Sequence, residues 1–548
     1  MLSRWDKKWQ IWYIMKRELL LIIIITVTGG FLRFYNLDWG QGIFTHPDEY
    51  HIVTSVNQLN FPYQMHPDFF SYGTFTIYLI YFTKEVLESL NLLISPFLIG
   101  RFYSAFFSTL SIPIIYLISR QLLTIRYSLL ATFTVATIPG LIQQAHFATP
   151  ESTLIFFILL NLLCQLRFNS SKQVRYLFLA GVCLGLGLAV KVSSFLMIIP
   201  LIALVFLTPN SILQKVKYLF FSLTTACLFF FITAPFVILD YSAFKSNLDY
   251  EGGLAAGKFV VFYTRQFINT IPIIFQLEKI YPYALGPTLE IFGLTGLGVS
   301  SYFCIIKRDR KLFLLILTFG LFFFFNSFLF AKWTRFSSPT FPFFALFSAL
   351  LIFHLSNFTG RKMTIIVLVT LLLLHLISVL SFLSIYQRMD VRQTATDWIS
   401  QNIPPNSIIL LEGGNMIDVP LTGNYQKLGL DFYQLEENKE VQTDLISSLV
   451  TSDYFIIQSR RVFINHQRLP DQFPITANFY NRLFASQLGF QEVKIFTSYP
   501  QLKIQGWKLE IPDEVGEETW SVFDHPVIRI YKKMIPKTKE EYELILQI

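Results

Sequence analysis

From Leu19 to Tyr386 the chain is a succession of apolar runs broken by short polar stretches, and a membrane-spanning helix needs roughly 20 such residues. The pattern predicts spans near 18–36, 97–119, 128–142, 151–166, 176–190, 194–208, 218–239, 285–306, 312–330, 340–357 and 363–386. Residues 73–91 break the series. Gly73–Phe82 is apolar, but Lys84, Glu85 and Glu88 follow within two turns, which suits a helix lying in the membrane interface. After Tyr386 the period changes. Arg392–Asn402 has helical spacing and stops at Pro404-Pro405. Ile408–Leu411, Tyr454–Gln458, Val493–Phe496 and Val527–Tyr531 read as strands, with helices such as Asp444–Val450 and Ala477–Ser486 between them. The prediction is a polytopic α-helical membrane protein of about eleven spans over residues 1–386, followed by an α/β domain over 387–548. Two long loops, 37–96 and 240–284, fall on one side.

Charge sets the sidedness. The first 386 residues hold 28 Lys and Arg against 15 Asp and Glu; the remaining 162 hold 16 against 21. If 73–91 does not cross, the amino terminus (Arg4, Lys7, Lys8, Lys16, Arg17) shares a side with the basic loops at Arg120/Arg126, Arg167/Lys172/Arg175, Lys215/Lys217, Lys307–Lys311 and Arg361/Lys362. The opposite side has no Lys or Arg from Asp38 to Phe82. This is the positive-inside pattern. It predicts a multi-pass plasma-membrane protein with its amino terminus in the cytoplasm and its carboxyl-terminal domain outside. The first apolar run, Leu19–Phe34, reads as an uncleaved anchor, since no small-residue cleavage site follows.

Composition narrows the class. Charged residues make up 15% of the 548 residues and apolar ones 53%, against about 25% charged for a soluble domain. The basic excess lies in loops between spans, where topology explains it, so nucleic-acid binding is excluded. Cys164, Cys183, Cys227 and Cys304 all fall in apolar segments and offer no disulfide framework or zinc knuckle.

Candidate chemistry gathers on the outer face. In Phe44-Thr45-His46-Pro47-Asp48-Glu49-Tyr50-His51 two adjacent carboxylates sit in a turn-prone segment at the membrane surface. A general base needs a carboxylate whose pKa is lifted by burial or a like-charged neighbour, and Asp48 and Glu49 supply such a pair. The alternative is a solvated loop dipeptide. A second carboxylate, Glu151, starts a span after Thr149-Pro150, which reads as a capping hydroxyl followed by proline; it either satisfies the helix dipole or lines the cavity. Five cations, Arg101, Lys191, Arg265, Lys332 and Arg335, lie at outer helix ends or in outer loops. Each alone is more often a snorkelling anchor; as a set they suit a phosphate or pyrophosphate. His46, His51, His66 and His146 share this face and could line a cavity or, with carboxylates, hold a divalent ion. No ligand spacing enforces a metal, and the cations could neutralise phosphate without one.

The order of these segments resembles the phospholipid-carrier-dependent membrane glycosyltransferases of the protein mannosyltransferase type (glycosyltransferase family 39-like, GT-C fold). Arg33-Phe34-Tyr35 with His46-Pro47-Asp48-Glu49 looks like that family's first outer loop. Gly100-Arg101-Phe102-Tyr103-Ser104-Ala105 is similar to the start of its second span, and His146-Phe147-Ala148-Thr149-Pro150-Glu151 to its second outer loop, where many members carry Asp in place of Glu151. Leu188–Ser193, Lys332–Phe336, Ser459-Arg460-Arg461 and Val522–Pro526 are further similar stretches. The resemblance implies a polyprenyl-phosphate sugar donor, hexosyl or mannosyl transfer with inversion, no required cofactor, and an unknown hydroxyl acceptor on a protein, lipid or glycan. It implies Asp48 as general base, Glu49 as its orienter or the acceptor's, and Arg101, Lys191 and Arg335 near the donor phosphate.

Two other classes compete. A flippase or transporter of lipid-linked sugars places its ionisable groups near the bilayer midplane, often in repeated halves; here the charges sit at outer helix ends and no halves are seen. A membrane-anchored binding protein leaves Asp48-Glu49 and the outer cations unexplained. Glu251-Gly252-Gly253 and Gly286-Pro287 offer backbone freedom for a lateral gate built from 73–91 and 240–284.

Overall fold

The computed structural model describes residues 4–413 and 418–548, with side chains from residue 16 onward. Helices cover each apolar segment expected from the pattern. Seven of those described are long and apolar enough to cross a membrane, or eight if the bent pair Ile125–Ala136 and Pro139–Ala145 is one span. Arg4–Phe34, Arg175–Val190 and Val192–Phe206 occupy the remaining expected positions. The helix Thr74–Ser89 has 16 residues, as does Arg175–Val190, but its second half carries Lys84, Glu85 and Glu88, which suits a helix lying in the membrane interface. The chain is a multi-pass membrane protein with a carboxyl-terminal sheet domain.

The chain packs as two compact units. The first comprises 1–37, 48–258 and 271–380; the second comprises 38–47, 259–270 and 381–548. In the first unit, small residues let helices approach closely, as expected where lipid provides no hydrophobic drive between spans. A Cβ on Gly185 would meet the Ala226 carbonyl oxygen at 2.3 Å, and one on Gly296 the Phe347 oxygen at 2.1 Å. The 51° bend at Pro139 has a specific partner. Proline there cannot donate to the Val135 carbonyl four residues back, and buried Arg33 takes up that oxygen at 3.2 Å and the Ala136 oxygen at 2.7 Å. A buried cation from the last turn of Arg4–Phe34 thus supplements the bonding of these carbonyls, Val135 also keeping a 3.4 Å bond from the Ile138 amide.

The second unit is built on a five-stranded mixed sheet of order β2-β1-β3-β7-β4. These are β1 (Ile408–Glu412), β2 (Gln426–Leu430), β3 (Tyr454–Ile457), β4 (Phe490–Phe496) and β7 (Ile528–Lys533); β5 (Gln501–Ile504) and β6 (Trp507–Glu510) form a separate antiparallel hairpin. β1 runs parallel to β2 and β3, whereas β7 is antiparallel to β3 and β4. The helix Val391–Asn402 contributes to the core on one face, and Lys439–Thr451, Pro474–Phe484 and Lys539–Leu546 to that on the other. Both faces are buried, so β3 reads as a continuous apolar run rather than alternating.

Glu412 ends β1 fully buried. Burial pushes its carboxyl up to about 8, against a smaller opposing effect of the Tyr480 hydroxyl that donates to it. The unfolded chain ionises this group near 4.5, so between the two values the unfolded state binds fewer protons and stability falls as pH rises. The slope approaches about 1.4 kcal/mol per pH unit. Glu412→Gln is expected to flatten that fall, read as hydrogen-exchange protection factors of β1 and β3 amides in the full chain between about pH 5 and 8.

Candidate functional site

Asp48 and Glu49 lie on the first turn of the helix Pro47–Gln58, where proline at the first position and acids behind it are both favoured. Its apolar residues Ile52 and Val56 pack against Ile77, Ile80 and Tyr81 of Thr74–Ser89 and Ile99 of Pro96–Ser119. Because successive residues on a helix point about 100° apart, the two carboxylates diverge. Each has its own guanidinium, Arg335 for Asp48 and Arg101 for Glu49.

Glu49 faces inward. Arg101 donates to it from Nε at 2.8 Å and Nη2 at 3.0 Å, and the Ala148 amide adds a bond of 2.7 Å. Both side chains are fully buried, and Arg101 Nη1 reaches the Leu37 carbonyl at 2.8 Å. Gly100 permits this, since a Cβ there would sit 2.5 Å from the Ala148 Cβ. Asp48 faces a partly open space, with a side chain 18% exposed. It is ion-paired to Arg335 and accepts a 2.7 Å hydrogen bond from the Tyr72 hydroxyl.

Around this pair a ring of side chains closes. Lys191 binds Glu151 at 2.8 Å and stands over the rings of Tyr72, at 5.3 Å, and Phe336, at 4.8 Å. Arg335 stacks on Trp333 at 5.0 Å and on Phe336 at 5.8 Å. Tyr72 is held here by its neighbours. The Gly73 amide donates to the Val190 carbonyl at 3.0 Å, and any Cβ at Gly73 would lie 1.9 Å from the Ala189 oxygen. The turn before the interfacial helix is thereby pinned to the end of Arg175–Val190, next to Lys191. Burial raises the Tyr72 phenol well above its ordinary value, and the charges of Glu151 and Glu251 push it further, so it remains a protonated donor to Asp48. Glu251 accepts from Ser71 at 2.8 Å.

The structure thus brings Asp48, Glu151, Lys191 and Arg335 together about Tyr72 and Phe336, with Glu49 and Arg101 buried beneath. Lys332 belongs to the same turn as Arg335, donates to the Phe330 carbonyl at 3.0 Å, and is lowered by burial to about 8. The other expected residues have different surroundings. His51 stacks on Phe69. His146 is buried between the carbonyl oxygens of Ile142, at 2.8 Å, and Tyr35, at 2.9 Å. His46 and Arg265 belong to the second unit. There His46 lies 4.2 Å from the Phe523 ring, and Arg265 donates to the Tyr433 carbonyl at 3.1 Å and to His466 Nε2 at 2.9 Å.

Two local expectations fail. The Thr149 hydroxyl does not cap the helix Glu151–Ser171, although Glu151 stands in its first turn as expected. Gly252-Gly253 is not a loose hinge but lies inside the helix Tyr241–Ala256. Tyr72, Trp333 and Phe336 were missed as site residues. The only signal was an aromatic beside a glycine turn, or beside Arg335, which is common near any membrane surface. Among the described residues no group of three or more His, Cys, Asp or Glu side chains is placed to hold a metal ion; Asp48, Glu49 and Glu151 are instead paired with cations.

Residues 77–244 match the family model of dolichyl-phosphate-mannose-protein mannosyltransferase. Over 85% of this chain and 73% of the other, the structure is similar to the oligosaccharyltransferase of Archaeoglobus fulgidus in its apo form (TM-score 0.55, 13% identity). The fold is that of the GT-C glycosyltransferases. The GT-C architecture recurs in the similarity to apo ArnT from Cupriavidus metallidurans, with TM-score 0.51 and 12% identity over 83% of this chain and 95% of that one. The Archaeoglobus enzyme AglB in complex with an inhibitory peptide and a dolichol-phosphate is similar at TM-score 0.54 and 12% identity, over 93% and 75% of the two chains. Another structure of the Archaeoglobus oligosaccharyltransferase holds zinc and sulfate. A comparison with curated protein sequences found no match. The GT-C resemblance read from the motifs is borne out.

Proposed function

We propose that this protein is an inverting glycosyltransferase that moves a sugar from a polyprenyl-phosphate donor to an acceptor hydroxyl on the extracytoplasmic side of the plasma membrane. The observation that carries the reading is the placement of Asp48 between Arg335 and the Tyr72 hydroxyl, with the Lys191–Glu151 pair alongside. In the reaction the acceptor oxygen attacks the anomeric carbon and the bond from that carbon to the phosphate oxygen breaks. The phosphate leaves with the electron pair, and the acceptor proton passes to Asp48. Arg335 and Lys191 are the cations at hand for the growing phosphate charge, and a donor phosphate competes with Asp48 for Arg335. That exchange frees the carboxylate to meet the acceptor. Glu49 and Arg101 act beneath as the rigid support that aims the first turn.

The test is sugar release by the purified full chain in vesicles carrying a polyprenyl-phosphate-linked hexose, mannose first, with an impermeant label reporting the side on which residue 48 lies. Release or transfer on the outer side supports the reading. Movement of intact donor across the bilayer without release favours a flippase and overturns it, as does a cytoplasmic position for residue 48.

Tyr72→Phe removes one hydrogen bond to a charged carboxylate, worth about 1.5–3 kcal/mol. It is expected to lower kcat/KM for the donor by roughly ten- to a hundredfold and thermal stability by a comparable free energy, read by donor turnover and by melting of the purified chain.

A further inference from the structure

Among the described residues, the β5–β6 hairpin is an amphipathic ribbon whose apolar face is half-buried at its root, at Leu502, and exposed towards its tip. In its register Leu502 lies opposite Leu509 and Ile504 opposite Trp507, while Lys503 faces Lys508. Directly paired residues share a face and alternate along the strand, so one face is Leu502, Ile504, Trp507 and Leu509. The other carries the lysines. Gln505 and Gly506 make the two-residue turn, both with positive φ, which fixes the register. Ile504 is 58% exposed, Trp507 83% and Leu509 47%.

A lone two-stranded ribbon is marginal in water, and a contiguous exposed apolar face marks an interaction surface. Its root says which. The Gln501 amide donates to the Ser384 hydroxyl at 3.0 Å, in the final turn of the apolar helix Arg361–Gln387. Arg388, just past that helix, donates to the Ser498 and Tyr499 carbonyls at 2.9 and 2.7 Å. The ribbon therefore springs from the end of the last span, where hydrocarbon gives way to headgroups, and exposed Met389 lies beside the root. Tryptophan is enriched at that depth, and lysines there meet anionic headgroups.

We propose that the hairpin Gln501–Glu510 is a membrane-interface anchor of the carboxyl-terminal domain, its Ile504–Trp507 face in the outer part of the bilayer and its lysines among lipid headgroups. The inference is independent of the transfer reaction. It is tested on the full chain in vesicles of phosphatidylcholine with a minority of phosphatidylglycerol. Trp507→Cys and Lys503→Cys, each in a background with Cys164, Cys183, Cys227 and Cys304 changed to serine, are labelled with an environment-sensitive fluorophore. The label at 507 is expected to shift to the blue and to be quenched by lipid-borne nitroxide but not by aqueous iodide; the label at 503 is expected to remain open to iodide. Equal iodide quenching at both positions overturns the proposal. So does a 507 label shielded from both quenchers, which points to a second copy or another protein on this face. Should the cysteine-free chain not fold, quenching of native tryptophan emission by brominated lipid replaces the labels. Trp507→Phe is then expected to lose a quenched component, and an unchanged quenched fraction overturns the anchor.

Discussion

Asp48→Asn is expected to lower sugar transfer by about 10²- to 10⁴-fold, the usual range for losing a positioned general base, with little change in thermal unfolding. Asparagine keeps an oxygen for the Tyr72 hydroxyl and nearly the volume of aspartate, but cannot take a proton. Asp48 and Arg335 are each 18% exposed, so the lost charge falls at a partly open site that solvent reaches. The loss is thus expected in kcat, with donor binding kept or tightened because Arg335 no longer has a carboxylate to release. The measurement is donor turnover with a separate donor-binding titration. Wild-type turnover in the Asn variant removes Asp48 from the role of base.

The second large effect is on folding. Arg101→Met leaves the Glu49 carboxylate fully buried with the Ala148 amide as its remaining bond in this pair's geometry. Breaking a buried ion pair on one side costs about 3–5 kcal/mol, a large share of a typical stability of about 5–15 kcal/mol. The single variant is expected to be recovered poorly from membranes and to melt far below wild type. Joining it to Glu49→Leu removes the stranded charge, and apolar replacement of a whole buried pair is often neutral. The double variant should therefore regain most of the lost stability, read as the interaction energy of a double-mutant cycle. Absence of any recovery means that Arg101 matters chiefly through the Leu37 carbonyl. The contrast with Asp48 follows from one helical turn, which sends one acid to the open side and its neighbour into the core.

Much of the architecture was readable because lipid simplifies the physics. A bilayer forces every spanning segment to be a continuous apolar helix, so the sequence alone determined where the helices lie, that 73–91 turns polar at Lys84, Glu85 and Glu88, and that a sheet domain follows. The strands at Ile408, Tyr454, Val493 and Ile528 were visible as apolar β-branched runs. β2, β5 and β6 were not, because Gln426–Leu430 is largely polar and the hairpin mixes lysines with its apolar residues. The GT-C resemblance was legible in the order of short motifs along the spans.

What the tertiary structure decided is pairing. Sequence adjacency put Asp48 beside Glu49, yet the helical turn separates them and gives them to Arg335 and Arg101, from spans far apart in the chain. It likewise could not select Tyr72 from the chain's 26 tyrosines, nor assign Arg265 to Tyr433 and His466 rather than to the carboxylates. Composition and periodicity report how each segment meets its solvent. Which charge neutralises which depends on distances of a few ångströms between segments tens to hundreds of residues apart, and those are set only when the helices pack.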